Sequence, residues 1–376
     1  MQGRLSCPLC GFSTDPSTTP PPCPHCQVPL RYKLDHIEAR REDLAGRGTW
    51  RYRPFLPQVE RVSLGEGGTP LIPSLHLGPE LGIELSFKLE GANPTGSFKD
   101  RGASVLVSVL RAFGARKVAD DSSGNAGAAL AAYAARGGLS ARLFVPAHAS
   151  DKKLAQIKAY GAELTRVPGP RPRATVAAKE ACQNDPELVY ASHNESPYFI
   201  AGLKTLAYEL AEELSWHVPN HLVVPVGGGG LFLGICQGFS ELRALGWIER
   251  LPRVHVAQAA ACAPIARAWE LDLAAPEPVQ PGKTVAEGVC IADPPRGQEI
   301  LAALRDVQGT AISVPEGEIA LAQRELALKE GIYIEPTSAV AMAALRKLVA
   351  QGVIRPGEAV VVPLTGSGLK ASALEG

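Results

Sequence analysis

The 376-residue chain has no apolar run near the ~20 residues that a bilayer span needs, and its opening MQGRLSCPLC has no apolar core behind the first charge. Neither a membrane span nor a secretory leader is expected. Net charge is also absent: 38 Lys plus Arg balance 38 Asp plus Glu, which leaves no overall field to draw the protein to nucleic acid, acidic membranes or polyanions. Any anion must be met locally. Cysteine is scarce, and eight residues in a chain this long cannot form a disulfide scaffold. What is present is ordinary globular usage, 45% hydrophobic and 20% charged, enough to bury a core. At roughly 100–200 residues per domain the length suggests two or three folded units. The expectation is a soluble cytoplasmic protein.

The few cysteines are unevenly placed. Cys7-Pro-Leu-Cys10 and Cys23-Pro-His-Cys26 form two C-x-x-C pairs, a spacing that lets two tight turns present four thiolates to one tetrahedral zinc ion. The segment between them, Gly11 to Pro22, is rich in Ser, Thr and Pro and has no core of its own, so a unit this small depends on the metal to fold. Two disulfides or redox pairs are the alternatives; a redox pair is expected singly and beside a βαβ pattern. Four thiolates leave no open position for substrate, so this zinc is structural and catalysis lies elsewhere. His25 is a bystander. Cys182, Cys236, Cys262 and Cys290 read as small core residues.

Tyr32 to Arg53 has apolar residues at helical spacing and reads as a connector in which Gly46 and Gly48 end any helix. From Leu85 onward β-rich runs alternate with helical patterns, which predicts an α/β chain with a parallel sheet covered by helices. Strands are expected at Glu84 to Leu89, Lys117 to Ala119, Ala141 to Val145, Glu163 to Val167, Leu222 to Val226, Val254 to Ala257 and Ala359 to Pro363, with a short one at Ile332 to Glu335. Helices are expected at Ala103 to Phe113, Ala126 to Arg136, Lys152 to Tyr160, Ala174 to Cys182, Ile200 to Leu214, Leu231 to Leu245, Glu316 to Glu330 and Ser338 to Gln351. The expected domains are a zinc ribbon over 1–31, a connector leading into the catalytic core over 32–99, a smaller α/β domain over 100–190 and a larger one over 191–376.

Four places carry chemistry. Gly227 to Gly230 separate a strand from a helix, so bare main chain and a helix N-terminus can cradle a phosphate. The register fails the dinucleotide fingerprint, because Phe232 stands at its third glycine; a packing turn is the alternative. Asp121-Ser-Ser-Gly-Asn-Ala-Gly127 opens an Ala-rich helix and suits a carboxylate, or simple capping. Thr365-Gly-Ser-Gly368 ends an apolar run and can set a neutral hydroxyl at the C-terminal edge of the sheet, where ligands of open α/β folds bind. Lys99 begins the helix after Asn93-Pro-Thr-Gly-Ser-Phe98; near that N-terminus and Arg101, a buried amine has its charged form disfavoured, which suits Schiff-base chemistry. A solvated surface lysine is the alternative. Gly282-Lys-Thr284 is no P-loop, since Glu277 occupies the first glycine position.

Asn93 to Gly102, NPTGSFKDRG, resembles the lysine motif of pyridoxal-phosphate enzymes of fold type II, particularly threonine synthases. The resemblance extends through LGEGGTPL at Leu64 to Leu71, SSGNAG at Ser122 to Gly127, SHNESPYF at Ser192 to Phe199, VGGGG at Val226 to Gly230, EPTSAVA at Glu335 to Ala341 and PLTGSGLK at Pro363 to Lys370. It implies a two-domain, tryptophan synthase β-like α/β fold with twisted, mostly parallel sheets, preceded by the ribbon, and a homodimer. It implies that Lys99 carries pyridoxal 5'-phosphate as a Schiff base and acts as the catalytic base. Asn125 is implied to bind the cofactor's phenolic oxygen, Gly227, Gly228, Gly229 and Gly230 its phosphate, and Thr365 its pyridine nitrogen. Ser122, Ser123, Gly124 and Asn125 are implied to take the carboxylate of a small amino-acid substrate.

The implied activity is that of a threonine synthase, making threonine and phosphate from O-phosphohomoserine and water. Ser192-His193-Asn194, Lys204-Thr205, Glu287-Gly288 and Pro363 to Lys370 resemble the archaeal-style synthases. Ser122 to Gly127 and Gly227 to Gly230 equally resemble serine/threonine dehydratases, and Phe199 stands where some synthases carry an arginine for the substrate phosphate. A dehydratase, or a related β/γ-replacement enzyme, is therefore the alternative. A non-catalytic zinc-ribbon binding protein is a third reading, which the absence of a basic and aromatic stripe on the ribbon disfavours.

Overall fold

The computed structural model describes residues 2–370. In chain order the strands are β1 (Arg4–Ser6), β2 (Ser13–Thr14), β3 (Arg31–Lys33), β4 (Leu71–Pro73), β5 (Glu84–Lys88), β6 (Lys117–Asp120), β7 (Ser140–Pro146), β8 (Glu163–Val167), β9 (Leu188–Tyr190), β10 (His221–Pro225), β11 (Arg253–Ala259), β12 (Ala311–Val314) and β13 (Ala359–Pro363). The helices are α1 (Leu77–Leu81), α2 (Lys99–Ala112), α3 (Asn125–Gly137), α4 (Asp151–Ala159), α5 (Pro172–Asn184), α6 (Pro197–Leu203), α7 (Thr205–Glu213), α8 (Gly230–Ala244), α9 (Pro264–Glu270), α10 (Gly297–Asp306), α11 (Glu316–Glu325) and α12 (Pro336–Ala350). No helix among the described residues is long and apolar enough to cross a membrane.

The chain divides into two compact units, one comprising the residues up to Gly68 with Asn93–Leu203, the other Thr69–Ala92 with the residues from Lys204 onward. In the first unit, β8-β7-β6-β9 form a four-stranded parallel sheet. A parallel sheet covered on its faces needs strands that are apolar throughout, as in the buried run Leu143 to Val145. Two glycines let α2 and α6 meet at their backbones: a Cβ on Gly202 would fall 2.1 Å from the Arg101 carbonyl oxygen, and one on Gly102 would fall 2.6 Å from the Phe199 ring. Either Gly→Ala change would force the helices apart.

The N-terminal ribbon, β2-β1-β3, is an antiparallel sheet in this same unit. Its Leu5, Cys7, Cys23 and Val28 share one apolar core with α2 and α6. The ribbon loop is also tied directly to α6, since the Tyr198 hydroxyl donates to the Ser17 carbonyl at 2.8 Å.

The segment expected to be a helical connector is not α-helical. Tyr32 to Arg53 holds the end of β3 and two 3₁₀ turns, Arg41–Asp43 and Thr49–Phe55. Side chains from α2 hold this stretch and its continuation to Val62: the Trp50 indole N–H donates to Ser104 Oγ at 2.8 Å, and the Val62 N–H donates to Ser108 Oγ at 2.8 Å. Periodicity misled here because the apolar residues serve a core supplied by another element.

In the second unit the sheet order is β12-β11-β10-β13-β5-β4, parallel except for β4, which runs antiparallel to β5. The observed division therefore cuts the expected 32–99 connector at Gly68 and Asn93, and places residues 191–203 with the first unit. The reason is pairing remote in sequence, Glu84 through Lys88 lying against Ala359 through Pro363. Buried Lys88 fastens the excursion further, its Nζ lying 2.6 Å from Glu209 and 2.7 Å from Glu213 on or beside α7. Replacing Lys88 by Met would strand the buried Glu209 carboxylate without its cation.

Two other expectations shift. The helix expected over Ile200 to Leu214 is broken at Lys204, which is buried with its Nζ 3.0 Å from Glu241. Ile332 to Glu335 is not a strand; only an isolated bridge joins Ile334 to Ser367. The pattern over Glu316 to Glu330 is α-helical to Glu325 and closes in a π-helical turn over Leu326–Glu330.

Candidate active site

Lys99 is the first residue of α2, half-buried, with Nζ 4.4 Å from the Phe98 ring centroid and 5.9 Å from that of Phe199. The turn before it is closed by the next residue: buried Asp100 accepts the Thr95 N–H at 2.6 Å and the Thr95 hydroxyl. Asn93 Oδ1 accepts the Gly67 N–H at 2.9 Å. Gly67 has φ +78°, and a Cβ there would fall 2.5 Å from the Thr49 nitrogen, so the GEGG stretch is glycine-rich for close backbone approach. The lysine thus starts from a rigid helix between aromatic rings.

Ser122 to Asn125 link β6 to α3 at the C-terminal edge of the same sheet. Ser122 is buried, while Ser123, Gly124 and Asn125 are half-buried. The Gly124 N–H donates to Ser122 Oγ at 3.3 Å, and a Cβ on Gly124 would meet nothing within 4 Å. Gly127 behaves oppositely, since its Cβ would strike the Ser122 carbonyl oxygen at 2.0 Å. The loop is therefore packed against protein from behind and open at Gly124. The first N–H groups of a helix have no partner within it, and they favour an anion.

An ionised network supports this loop. Asp121 accepts the Tyr190 hydroxyl at 3.0 Å, the Arg171 guanidinium at 3.1 Å and the Thr175 hydroxyl. Burial opposes its charge, but Arg171, His193 and Thr175 outweigh burial and hold the Asp121 carboxyl well below the usual range. Next to it Asp120 Oδ2 lies 3.0 Å from His193 Nδ1. Neither Asp120 nor a role for His193 was legible beforehand; the sequence signal is only that polar residues end two neighbouring strand candidates.

In the second unit, Gly227 to Gly230 run from β10 into α8. Gly229 has φ +84°, and a Cβ there would fall 2.2 Å from Ile300 Cδ1; a Cβ on Gly227 would fall 3.0 Å from the Gly288 carbonyl oxygen. Side chains are excluded from the protein side of this loop, and α8 presents its first N–H groups from the other, which fits a phosphate. Thr365 follows β13, the strand next to β10, and is buried. Its hydroxyl lies 2.7 Å from Ser338 Oγ, which in turn accepts the Gly366 N–H at 3.0 Å. This is a neutral hydroxyl with a fixed position, suited to a ring nitrogen. Ser338 was visible only as part of EPTSAVA.

The structure thus brings Lys99 and Ser122 to Asn125 into one unit, and Gly227 to Gly230 with Thr365 into the other. Cys7, Cys10, Cys23 and Cys26 form a separate cluster whose sulfur atoms all lie within 4.8 Å of one another. Zinc–thiolate bonds of about 2.3 Å put tetrahedral sulfurs about 3.8 Å apart, so the cluster can close on one ion. The two knuckles repeat one pattern: the Gly11 N–H donates to the Cys7 carbonyl and the Gln27 N–H to that of Cys23.

The family model for pyridoxal-phosphate dependent enzymes matches residues 62–366. The chain belongs to the pyridoxal-phosphate dependent enzyme family. It has the α/β fold of type II and is a lyase of that family. Among its relatives, the threonine synthase of Methanocaldococcus jannaschii is 38% identical over 346 residues, covering 91% of this chain and 84% of that one. The threonine synthase of Methanosarcina acetivorans is 37% identical over 374 residues, covering 98% and 92%. Among solved structures, a threonine deaminase from T.th. superposes with a TM-score of 0.68 at 27% identity, covering 80% of this chain and 92% of that one.

Proposed function

We propose that this family member is a threonine synthase that converts O-phosphohomoserine and water to threonine and phosphate. The observation that carries the reading is the 37% identity to a threonine synthase across 98% of the chain, ribbon included, against 27% to a threonine deaminase over 80%. Gly227, Gly228, Gly229 and Gly230 would hold the phosphate of pyridoxal 5'-phosphate, Thr365 its pyridine nitrogen and Asn125 its phenolic oxygen. Lys99 would hold it covalently. When bound, the cofactor supplies the electron sink for a carbanion at the substrate's Cα.

The protein's own residues do the rest. Ser122, Ser123, Gly124 and Asn125 bind and orient the substrate carboxylate, using N–H groups at the start of α3. The Lys99 amine would act as the base that takes the proton from Cα and returns protons along the carbon chain. Phe98 and Phe199 set apolar ring surface beside that amine, at 4.4 Å and 5.9 Å from Nζ to the ring centroids. The Thr365 hydroxyl, held by Ser338, carries no charge and so does not keep a ring nitrogen protonated; this favours elimination and replacement over transamination.

The four ribbon thiolates bind one structural zinc ion, and we read the enzyme as a cytoplasmic homodimer that binds neither membrane nor nucleic acid. Phosphate release from O-phosphohomoserine, run beside L-threonine and L-serine, tests the activity. Equal formation of phosphate and threonine supports it. Faster formation of 2-oxobutanoate from threonine would make the protein a dehydratase.

A further inference from the structure

Ser338 is the third residue of α12 and fully buried, and its hydroxyl has two partners among the described residues: it accepts the Gly366 N–H at 3.0 Å and lies 2.7 Å from Thr365 Oγ1. The stretch it meets is stitched to the residues that lead into α12. The Glu335 N–H donates to the Gly366 carbonyl at 3.1 Å, the Gly368 N–H donates to the Tyr333 carbonyl at 3.0 Å, and an isolated bridge joins Ile334 to Ser367. Gly366 has no room for a side chain, since a Cβ there would fall 2.5 Å from the Glu335 carboxyl carbon. The main chain on both sides thus holds the two hydroxyls in register.

Which hydroxyl donates follows from counting protons. Each oxygen carries one hydrogen and can accept two. A serine hydroxyl in a helix ordinarily gives its proton to the carbonyl three or four residues back. Here the Ile334 carbonyl takes the Gln323 side-chain amide at 2.6 Å, and the Glu335 carbonyl takes the N–H groups of Ser338 and Ala339. Neither takes Ser338 Oγ, so Thr365 Oγ1 is the acceptor left to the Ser338 proton among the described residues. In either arrangement one proton of the pair finds no protein acceptor. If Thr365 donates, that proton sits on Ser338 and is enclosed by protein, with the full penalty of a buried donor left unmade. If Ser338 donates, it sits on Thr365, at the C-terminal end of β13 beside the strand that leads to the glycine cradle, where a ligand atom can accept it.

We propose that Ser338 is a positioning residue that turns the Thr365 hydroxyl outward as a fixed hydrogen-bond donor, so that the site takes a ring nitrogen only as an acceptor, without its proton. This rests on the reading of Thr365 as the partner of the cofactor's pyridine nitrogen, and deepens it. A neutral hydroxyl by itself merely fails to hold a proton on the ring; a donor fixed by Ser338 excludes one, because two hydrogens would then meet on one line. The strength of the electron sink is set by a side chain standing behind the one that makes the contact.

The test uses full-length holoenzyme loaded with pyridoxal phosphate carrying nitrogen-15 in its ring, and reads that nitrogen by NMR as pH is lowered, with no substrate present. The native protein should show an unprotonated nitrogen down to the pH at which the fold is lost. Ser338→Ala lets the Thr365 hydroxyl turn and accept, so the ring should take up a proton at a pH about one unit or more above any such step in the native protein. Affinity for pyridoxal phosphate should fall about two- to tenfold. Loosened packing alone weakens binding without moving the ring's protonation. A native ring nitrogen already protonated at neutral pH overturns the proposal with no variant needed, so a Ser338→Ala protein that fails to fold leaves the test standing. An unmoved protonation step in Ser338→Ala overturns it as well. Thr365→Val separates the two readings: a ring signal that responds to Thr365→Val and not to Ser338→Ala refutes this inference and spares the Thr365 contact, and one that responds to neither refutes both.

Discussion

Gly229→Ala separates the geometric demand of the phosphate cradle from a mere preference for glycine. Gly229 sits at φ +84°, where an L side chain costs about 1–2 kcal/mol. The added methyl would also fall 2.2 Å from Ile300 Cδ1 and 2.7 Å from its Cγ1, and Ile300 is fully buried. Displacing a packed side chain costs about 1–3 kcal/mol more. The sum, about 2–5 kcal/mol, lowers Tm by about 5–15 °C for a unit of this size. The start of α8 must also shift, and losing one charge-assisted N–H contact weakens pyridoxal phosphate about tenfold or more. Gly138→Ala is the control: φ is +73°, it caps α3, and nothing lies within 4 Å of the new methyl. It should cost only the backbone term of about 1–2 kcal/mol and leave cofactor affinity alone. Calorimetry and absorbance titration with pyridoxal phosphate measure both. A Gly229→Ala protein that melts and binds cofactor like Gly138→Ala would refute the reasoning.

Other outcomes rest on the same geometry. Borohydride treatment of the holoenzyme should fix the cofactor on a peptide containing Lys99, and Lys99→Ala should be colourless after dialysis and inactive; label elsewhere in the chain would reassign the lysine. Cys10→Ser should lose the single zinc ion on metal analysis and, because Cys7 and Cys23 sit in one core with α2 and α6, lower the melting temperature of the unit that carries Lys99 rather than only fraying the ribbon. Stability should fall in acid through His255. Its ring accepts the Thr310 N–H at Nδ1, leaving Nε2–H to face His221 Nδ1 at 2.9 Å, and burial holds its folded pKa down at about 3. The unfolded chain therefore binds the extra proton between about pH 6.5 and 3, and stability is lost as pH falls through that window. The loss is about 2 kcal/mol from pH 7 to 5, read by denaturant titration. His255→Gln should flatten that slope, and an unchanged slope would remove His255 from the account.

The chemistry of this protein was written in short stretches. Glycines at 227 to 230, a lysine behind a Pro-Thr-Gly turn and two C-x-x-C pairs have local meaning, because backbone approach, helix termini and ligand spacing are set within a few residues. Alternation of strand and helix patterns was likewise enough for an α/β chain. What local pattern could not give was the partition into units. β5 belongs with β13 through pairing across more than 270 positions, and Lys88 finds its two carboxylates on or beside α7. Periodicity carries no information about such partners, and it misread Tyr32 to Arg53 because the core those residues serve lies on α2. The pairing of Asp120 with His193, and of Thr365 with Ser338, arises only where parallel strands or a strand and a distant helix end side by side. Residue type and spacing declare which groups can act; only the closing of the chain brings a buried carboxylate to an imidazole 73 residues away.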